Sequence, residues 1–292
     1  MFELCTIGHI TLDKIQTLHA VKYMPGGTAY YFSKALKNFD IKFLLVTAVA
    51  DAESNILEQL HEDGIEVIGL HSDNTVYFEN IYGEDPNKRE QNVLNTATAF
   101  SIESMPDVNA KIYHLGPLLA EDFAPGFIQS LAAKGIVSLD IQGLLRYVKD
   151  KKVLYRDWKD KDSLMPYISI LKTNEFELEI LTGSKDMKEA VKQLSGYGIN
   201  EIIITCGNEG SYIYSDGQFC KIPGFKPSQD NDTTGCGDTY MAGYLYKKLI
   251  GGSIEESGIY GSAMAALKVE SFGPFQGKPT DIESLISRGS HL

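Results

Sequence analysis

Short runs of β-branched and aliphatic residues alternate along this chain with longer stretches of helical spacing, and that rhythm restricts the fold more than any other feature. Lys42 to Val49 precedes a predicted helix near Ser54 to Asp63, Ile112 to Leu115 precedes Asp122 to Lys134, Ile136 to Ile141 follows, and Ile168 to Lys172 precedes Glu175 to Leu181. Ile202 to Cys206, after the helical stretch Met187 to Tyr197, is apolar almost throughout. A strand without alternation is buried on both faces, as in a parallel sheet with helical crossovers. The expected fold is α/β, a doubly wound, mainly parallel sheet flanked by helices. With 292 residues, 43% of them hydrophobic, the chain has enough apolar side chain for one large core, and residues 1–292 read as a single domain.

Two regions break the rhythm: 14–24, and 74–96, where Thr75 to Tyr82 and Gln91 to Thr96 flank a polar turn containing Asp85, Pro86 and Asn87. They predict a small antiparallel β lid that closes over a substrate and excludes water, or else an edge ribbon. An exposed flap of this kind is also a candidate homodimer surface. Arg146 to Lys161 interleaves Lys149, Lys151, Lys152, Arg156 and Lys159 with Asp150, Asp157 and Asp160, which reads as a solvated face anchored by Trp158. Arg288 to Leu292 reads as a frayed end.

The net charge of −12 disfavours nucleic acid and anionic membranes as partners. No apolar run reaches eighteen residues and Met1 to Leu4 is already strand-like, so a cytoplasmic protein is expected. Cys5, Cys206, Cys220 and Cys236 form no C-x-x-C and read as reduced thiols, and the six histidines give no zinc pattern.

The chemistry concentrates in Asp232-Thr-Thr-Gly-Cys-Gly-Asp238, followed by apolar and small residues from Thr239 to Leu245. Small residues at a helix start leave N–H groups pointing outward, and the helix dipole adds roughly half a positive charge there. Gly235, Cys236 and Gly237 thus form a candidate anion cradle, and Asp238 in the first turn is a candidate general base. A plain cap or turn is the competing reading. Asn174 with Glu177 follows a predicted strand and fits either a capping box or a place to hold the waters of a magnesium ion. Thr205, Gly207 and Gly210 fit either a nucleotide-facing loop or a tight turn. Neither a Walker lysine nor a G-x-G-x-x-G fingerprint is present.

Asp232 to Asp238, with Ala242 and Gly243, resembles the second signature of the ribokinase-like (PfkB) carbohydrate kinases, D-T-x-G-A-G-D-x-x-x-A-G. The resemblance runs from Gly8 to Gly273. It implies ATP-dependent phosphorylation of a hydroxyl on a small polyol, sugar or cyclitol, with Asp238 as base, residues 235–237 as anion hole, and Mg2+ and the phosphates organised through water by Asn174 and Glu177. It further implies that Thr205, Gly207 and Gly210 line ATP and that Ala266 and Gly273 lie at the adenine-facing end. Asp13, closing Gly8 to Asp13, becomes an acceptor ligand, and Gly26 and Gly27 let the acceptor lie against backbone. In relatives that respond to potassium the acid matching Asp232 helps bind the ion, which makes Asp232 the candidate K+ residue.

Departures accompany the likeness. The family's asparagine shortly after the double glycine is missing, and Thr28, Tyr30 and Tyr31 stand there instead, with Tyr31 taken as a substrate contact. Ala48 to Asp51 lacks the usual glycines, and Cys236 replaces an alanine. Leu139 to Gly143 with Arg146 resembles the inositol kinase branch. Two other readings stay open: a nucleoside kinase in which Tyr30 and Tyr31 stack a base, and a catalytically silent PfkB-like binding or regulatory protein.

Overall fold

The computed structural model describes residues 1–18, 20–82, 89–229 and 231–289. The polar turn expected at Asp85 to Asn87 and the last three residues of the expected frayed end lie outside them. In chain order the elements are β1 (Phe2–Ile7), β2 (Thr11–Gln16), β3 (Val21–Gly26), α1 (Thr28–Leu36), β4 (Phe43–Val49), α2 (Ser54–Glu62), β5 (Glu66–His71), β6 (Val76–Tyr82), β7 (Arg89–Asn95) and β8 (Ala110–Leu115). They continue with α3 (Phe127–Ala132), β9 (Ile136–Asp140), β10 (Arg146–Lys149), β11 (Lys152–Tyr155), α4 (Lys161–Leu164), β12 (Ile170–Asn174), α5 (Glu175–Thr182), α6 (Met187–Ser195), β13 (Glu201–Thr205), β14 (Ser211–Ser215), β15 (Gln218–Ile222), α7 (Cys236–Leu249), α8 (Ile254–Val269) and α9 (Pro279–Arg288).

Among the described residues a nine-stranded sheet runs β15-β14-β13-β12-β9-β8-β1-β4-β5. Its pairs are parallel from β13 to β5, and only the β13-β14-β15 edge is antiparallel. The apolar run at 202–206 explains itself: Ile203 faces one side with Phe32, Tyr244 and Met264, while Ile202 and Ile204 face the other with Phe127, Leu178 and Val191. Two helical layers therefore need a strand apolar on both faces. Trp158 is buried in the second layer, as an anchor should be.

The second sheet is larger than the sequence suggested and is not wholly antiparallel. Its order is β10-β11-β7-β6-β2-β3, with β2 beginning at Thr11 and pairing with β6 in parallel. The parallel pair arises because α1, β4, α2 and β5 intervene between β2 and β6. Its two outer strands come from the segment read as a solvated face. β10 and β11 turn at Asp150 and Lys151, both at positive φ, and pair as a hairpin. Charges mark its outer side, yet Val148 and Val153 pack on the cluster of Val76, Phe78, Val93, Leu118 and Leu119 beneath.

Candidate active site

The carboxyl ends of the parallel strands, Ile7, Leu115, Asp140, Asn174 and Thr205, lie along one edge of the main sheet. From β1 the chain builds outward in both directions, to β4 and β5 on one side and to β8, β9, β12 and β13 on the other. Ligands in open α/β sheets collect at such a reversal. Gly8 and Gly116 meet there, and Thr28, the first residue of α1, packs on Gly116.

The N-terminus of α7 opens onto the same edge. Gly235 precedes it at φ 77°, and no side chain caps the helix. Gly235, Cys236, Gly237 and Asp238 are all partly exposed, so the bend is not sealed inside the core. One expected donor is already engaged: the Cys236 N–H donates to Thr233 O at 3.2 Å, a turn bond forced by the tight approach to the helix. The outward donors are then those of the positions around it, above all Gly237 and Asp238 in the first turn. The Cys236 Sγ faces the Ala265 carbonyl of α8 at 3.9 Å.

Lys172, which in the sequence is merely the last residue of a predicted strand, lies beneath this cradle. A methyl group added at Gly237 would come within 3.0 Å of the Lys172 ammonium. Lys172 is 4% exposed, and its Nζ pairs with Asp140 Oδ2 at 2.8 Å. Burial alone lowers an ammonium's pKa, but the carboxylates of Asp140, Glu177 and Asp238 reverse this and hold Lys172 above its ordinary value. The signal was a lone lysine after the apolar pair Ile170 and Leu171, directly before Thr173 and Asn174.

Burial pushes the Asp238 carboxyl up to about 7; the Asp140 charge adds to this, and Lys172, a hydrogen bond with Thr28 and Arg146 work against it. A carboxyl that takes up a proton near neutrality suits a proton acceptor. Arg146 therefore departs from the solvated face expected of its segment: its charge reaches both Asp238 and Glu177, and its Nε is buried without a hydrogen-bond partner among the described residues.

Asn174 and Glu177 form both bonds of a capping box, Glu177 N–H to Asn174 Oδ1 at 2.8 Å and Asn174 N–H to Glu177 Oε2 at 2.9 Å. The other oxygen, Oε1, faces Gln142 Nε2 at 3.4 Å. Burial raises the Glu177 carboxyl above its usual range although Lys172 opposes this. Thr205 ends β13, while Gly207 and Gly210 make the tight turn into β14, with Cys206 N–H donating to Gly210 O at 2.9 Å. Ala266 faces the packed interior of α8, and Gly273 N–H donates to Asp232 Oδ2 at 3.1 Å.

On the acceptor side Thr11 Oγ1 donates to Asp13 Oδ1 at 2.6 Å, and Asp13 Oδ2 lies against Gly26, one residue before Gly27. Register puts Asp13, Phe78, Asn80, Gln91 and Val93 on one face of the lid, with Gln91 Nε2 donating to Asn80 Oδ1 at 3.0 Å. Nothing in the sequence alone marks that amide pair. Tyr31 is 4% exposed, its ring lies against Gly235, and its hydroxyl is raised by burial and by the charges of Asp232, Asp13 and Asp238. Tyr30 turns instead toward Lys34 and Asp63. The two rings therefore present no open stacking platform.

The model of the pfkB family carbohydrate kinases matches residues 1–281. The chain belongs to this family. A cytidine kinase of Thermococcus kodakarensis is 26% identical to this pfkB-family chain over 268 residues, 88% of the chain and 92% of that protein. A ribokinase of Haemophilus influenzae is 37% identical over 129 residues, 42% of each. Two solved structures superpose over 96% of this chain and 99% of theirs: a pyrophosphate-dependent kinase in the ribokinase family complexed with sulfate, with TM-score 0.86 and 27% identity, and one complexed with a pyrophosphate analog and myo-inositol, with TM-score 0.85 and 26% identity. Kinase relatives of this kind make the chain a phosphotransferase of the ribokinase-like fold. No helix among its described residues is long and apolar enough to cross a membrane.

The cradle of this pfkB-family kinase depends on Gly235. A side chain there would combine a left-handed backbone with an overlap onto the Tyr31 ring. Gly235→Ala is expected to cost about 1–3 kcal/mol of stability and, by shifting the loop, about 10²-fold in turnover. Thermal melts and steady-state rates check both.

Proposed function

We propose that this kinase transfers a phosphoryl group to one hydroxyl of a small polyol, sugar or cyclitol, with Asp238 as general base. The observation that carries the reading is a carboxyl with its proton affinity raised to about 7, set in the first turn of an uncapped helix and beside a buried ammonium. The acceptor O–H bond breaks as its proton passes to Asp238. The acceptor oxygen bonds phosphorus in line, and the bond to the leaving phosphate breaks. The outward N–H groups of α7 and the Lys172 charge face the oxygens that gather negative charge.

Asp13, Asn80 and Gln91 supply a carboxylate and two amides on the acceptor side, a set that suits hydroxyl groups. The buried Tyr31 ring favours a polyol over a base-stacking nucleoside. The phosphoryl donor is ATP, carried on the edge that holds Thr205, Gly207, Gly210 and Gly273. Pyrophosphate is the second reading, favoured by the two superposed kinases that use it.

Magnesium fits the donor set through Glu177, a buried carboxylate with one oxygen turned from its capping box. Magnesium keeps several waters and is commonly held by one or two carboxylates plus substrate phosphates. When bound it would neutralise phosphate charge, while Asn174 fixes the Glu177 rotamer.

The test is a donor-by-acceptor matrix: ATP or pyrophosphate, with magnesium, against inositols, simple sugars, cytidine and adenosine. Phosphorylation of a cyclitol or sugar well above that of nucleosides is expected. Preference for nucleosides would overturn the acceptor reading. Absence of transfer from either donor, in protein that still binds phosphate, would favour a silent binding protein.

A further inference from the structure

Asp232 was the candidate potassium residue, and its surroundings do not suit a metal ion. Lys268, on the last turn of α8 and 0% exposed, donates from Nζ to the Asp232 main-chain oxygen at 2.7 Å and pairs with Asp232 Oδ2 at 3.0 Å. The same ammonium stands 5.9 Å from the centre of the Tyr31 ring. The remaining carboxylate oxygen, Oδ1, accepts the Thr234 N–H at 2.9 Å, and Oδ2 also takes the Gly273 N–H at 3.1 Å. The oxygens that a monovalent ion would seek here are thus spoken for by a cation that is already part of the chain.

The consequence reaches the cradle by two routes. Asp232 and Thr234 open the loop that leads to Gly235, and Asn231 and Asp232 N–H both donate to Val269 O, stitching that loop to the end of α8. Tyr31, lying under the ammonium, carries Gly235 on its ring. A single positive charge therefore fixes the loop from its acidic end and from its aromatic floor.

We propose that the Lys268 ammonium is a tethered monovalent cation that holds residues 232–235 in anion-binding shape, and that this kinase consequently works without potassium. Lys268 is a positioning residue: it acts through Asp232 and Tyr31 and touches no reacting atom. The activity arm of the test rests on the phosphoryl-transfer reading, whereas the melting arm does not.

The wild-type chain and two variants, Lys268→Ala and Lys268→Met, are compared in potassium, ammonium and tetramethylammonium chloride at matched ionic strength. Wild-type turnover and melting temperature are expected to be the same in all three. Lys268→Ala removes the charge and leaves room for an ion; in tetramethylammonium it should lose about 10²-fold in turnover through the misplaced loop. Potassium or ammonium should restore most of that loss and raise its melting temperature by about 2 °C or more, as selective binding to the folded state requires. Lys268→Met fills the space without charge and should be neither rescued nor selectively stabilised.

A merely structural role gives the reverse order, with Met tolerated and Ala beyond rescue. The proposal is overturned by that order, by potassium stimulation of the wild type, by full activity of Lys268→Ala in tetramethylammonium, or by failure of Lys268→Ala to fold in every salt. If the wild type shows no turnover with any acceptor, the salt-selective melting of Lys268→Ala still decides.

Discussion

Replacing Asp238 with Asn is expected to lower turnover by about 10²- to 10⁴-fold, the range of a lost general base, and at the same time to make the protein more stable above neutral pH. The two effects share one cause. The carboxyl is raised from an ordinary 3.8 to about 7, chiefly by burial. Between those values the folded state holds a proton that the unfolded chain has released, so stability falls as pH rises through this window and levels off above about 7. At the plateau the charge costs up to about 4 kcal/mol. A neutral amide that keeps the Thr28 bond escapes that cost, and the melting temperature of Asp238→Asn should exceed wild type by about 4 °C or more well above neutrality, with the gain vanishing near the unfolded pKa.

The wild-type rate profile must have the opposite sense. The base acts only when ionised, so kcat/KM should drop as pH falls through about 7. Melting curves and rate profiles across this window check the pair. A variant that is inactive and no more stable than wild type at alkaline pH would separate the raised carboxyl from the role of base.

Lys172→Met is the second large expectation. Removing one partner of a buried ion pair costs about 3–5 kcal/mol, because the other charge stays behind uncompensated. Asp140 is that charge, 4% exposed and 2.8 Å from the ammonium. Turnover should fall by about 10²- to 10³-fold, comparable to the loss of one donor facing developing charge. The double variant Lys172→Met/Asp140→Asn removes both charges and should recover most of the stability and none of the turnover. Recovery of turnover would mean that Lys172 serves only to neutralise Asp140.

The two cases differ in how the sequence announced them. Asp238 stood out because a small-residue bend, an acid and an apolar helix are contiguous, and local chemistry alone gives that arrangement meaning. The parallel sheet was legible for a similar reason, since a strand such as Ile202 to Ile204 has no other use for apolar residues on both faces. Asp140 ends β9 and Lys172 lies opposite it within the neighbouring β12, 32 residues away, so their meeting is a product of topology that no local pattern encodes. The lid was seen only in part because β10 and β11 carry charges outward and offer just Val148 and Val153 to the interior. Asn80 and Gln91 read as ordinary strand residues until β2, β6 and β7 were in register.

Lid and base are also joined covalently. Only three residues separate the end of β1 in the main sheet from the start of β2 in the lid, and β3 returns to deliver Gly27 and then Thr28, the residue whose hydroxyl bonds Asp238. A substitution that shifts β3 is therefore expected to disturb the Thr28 bond to Asp238 as well. The lid and the carboxyl's hydroxyl partner are thus neighbours along one stretch of chain, a lever hinged beside its latch.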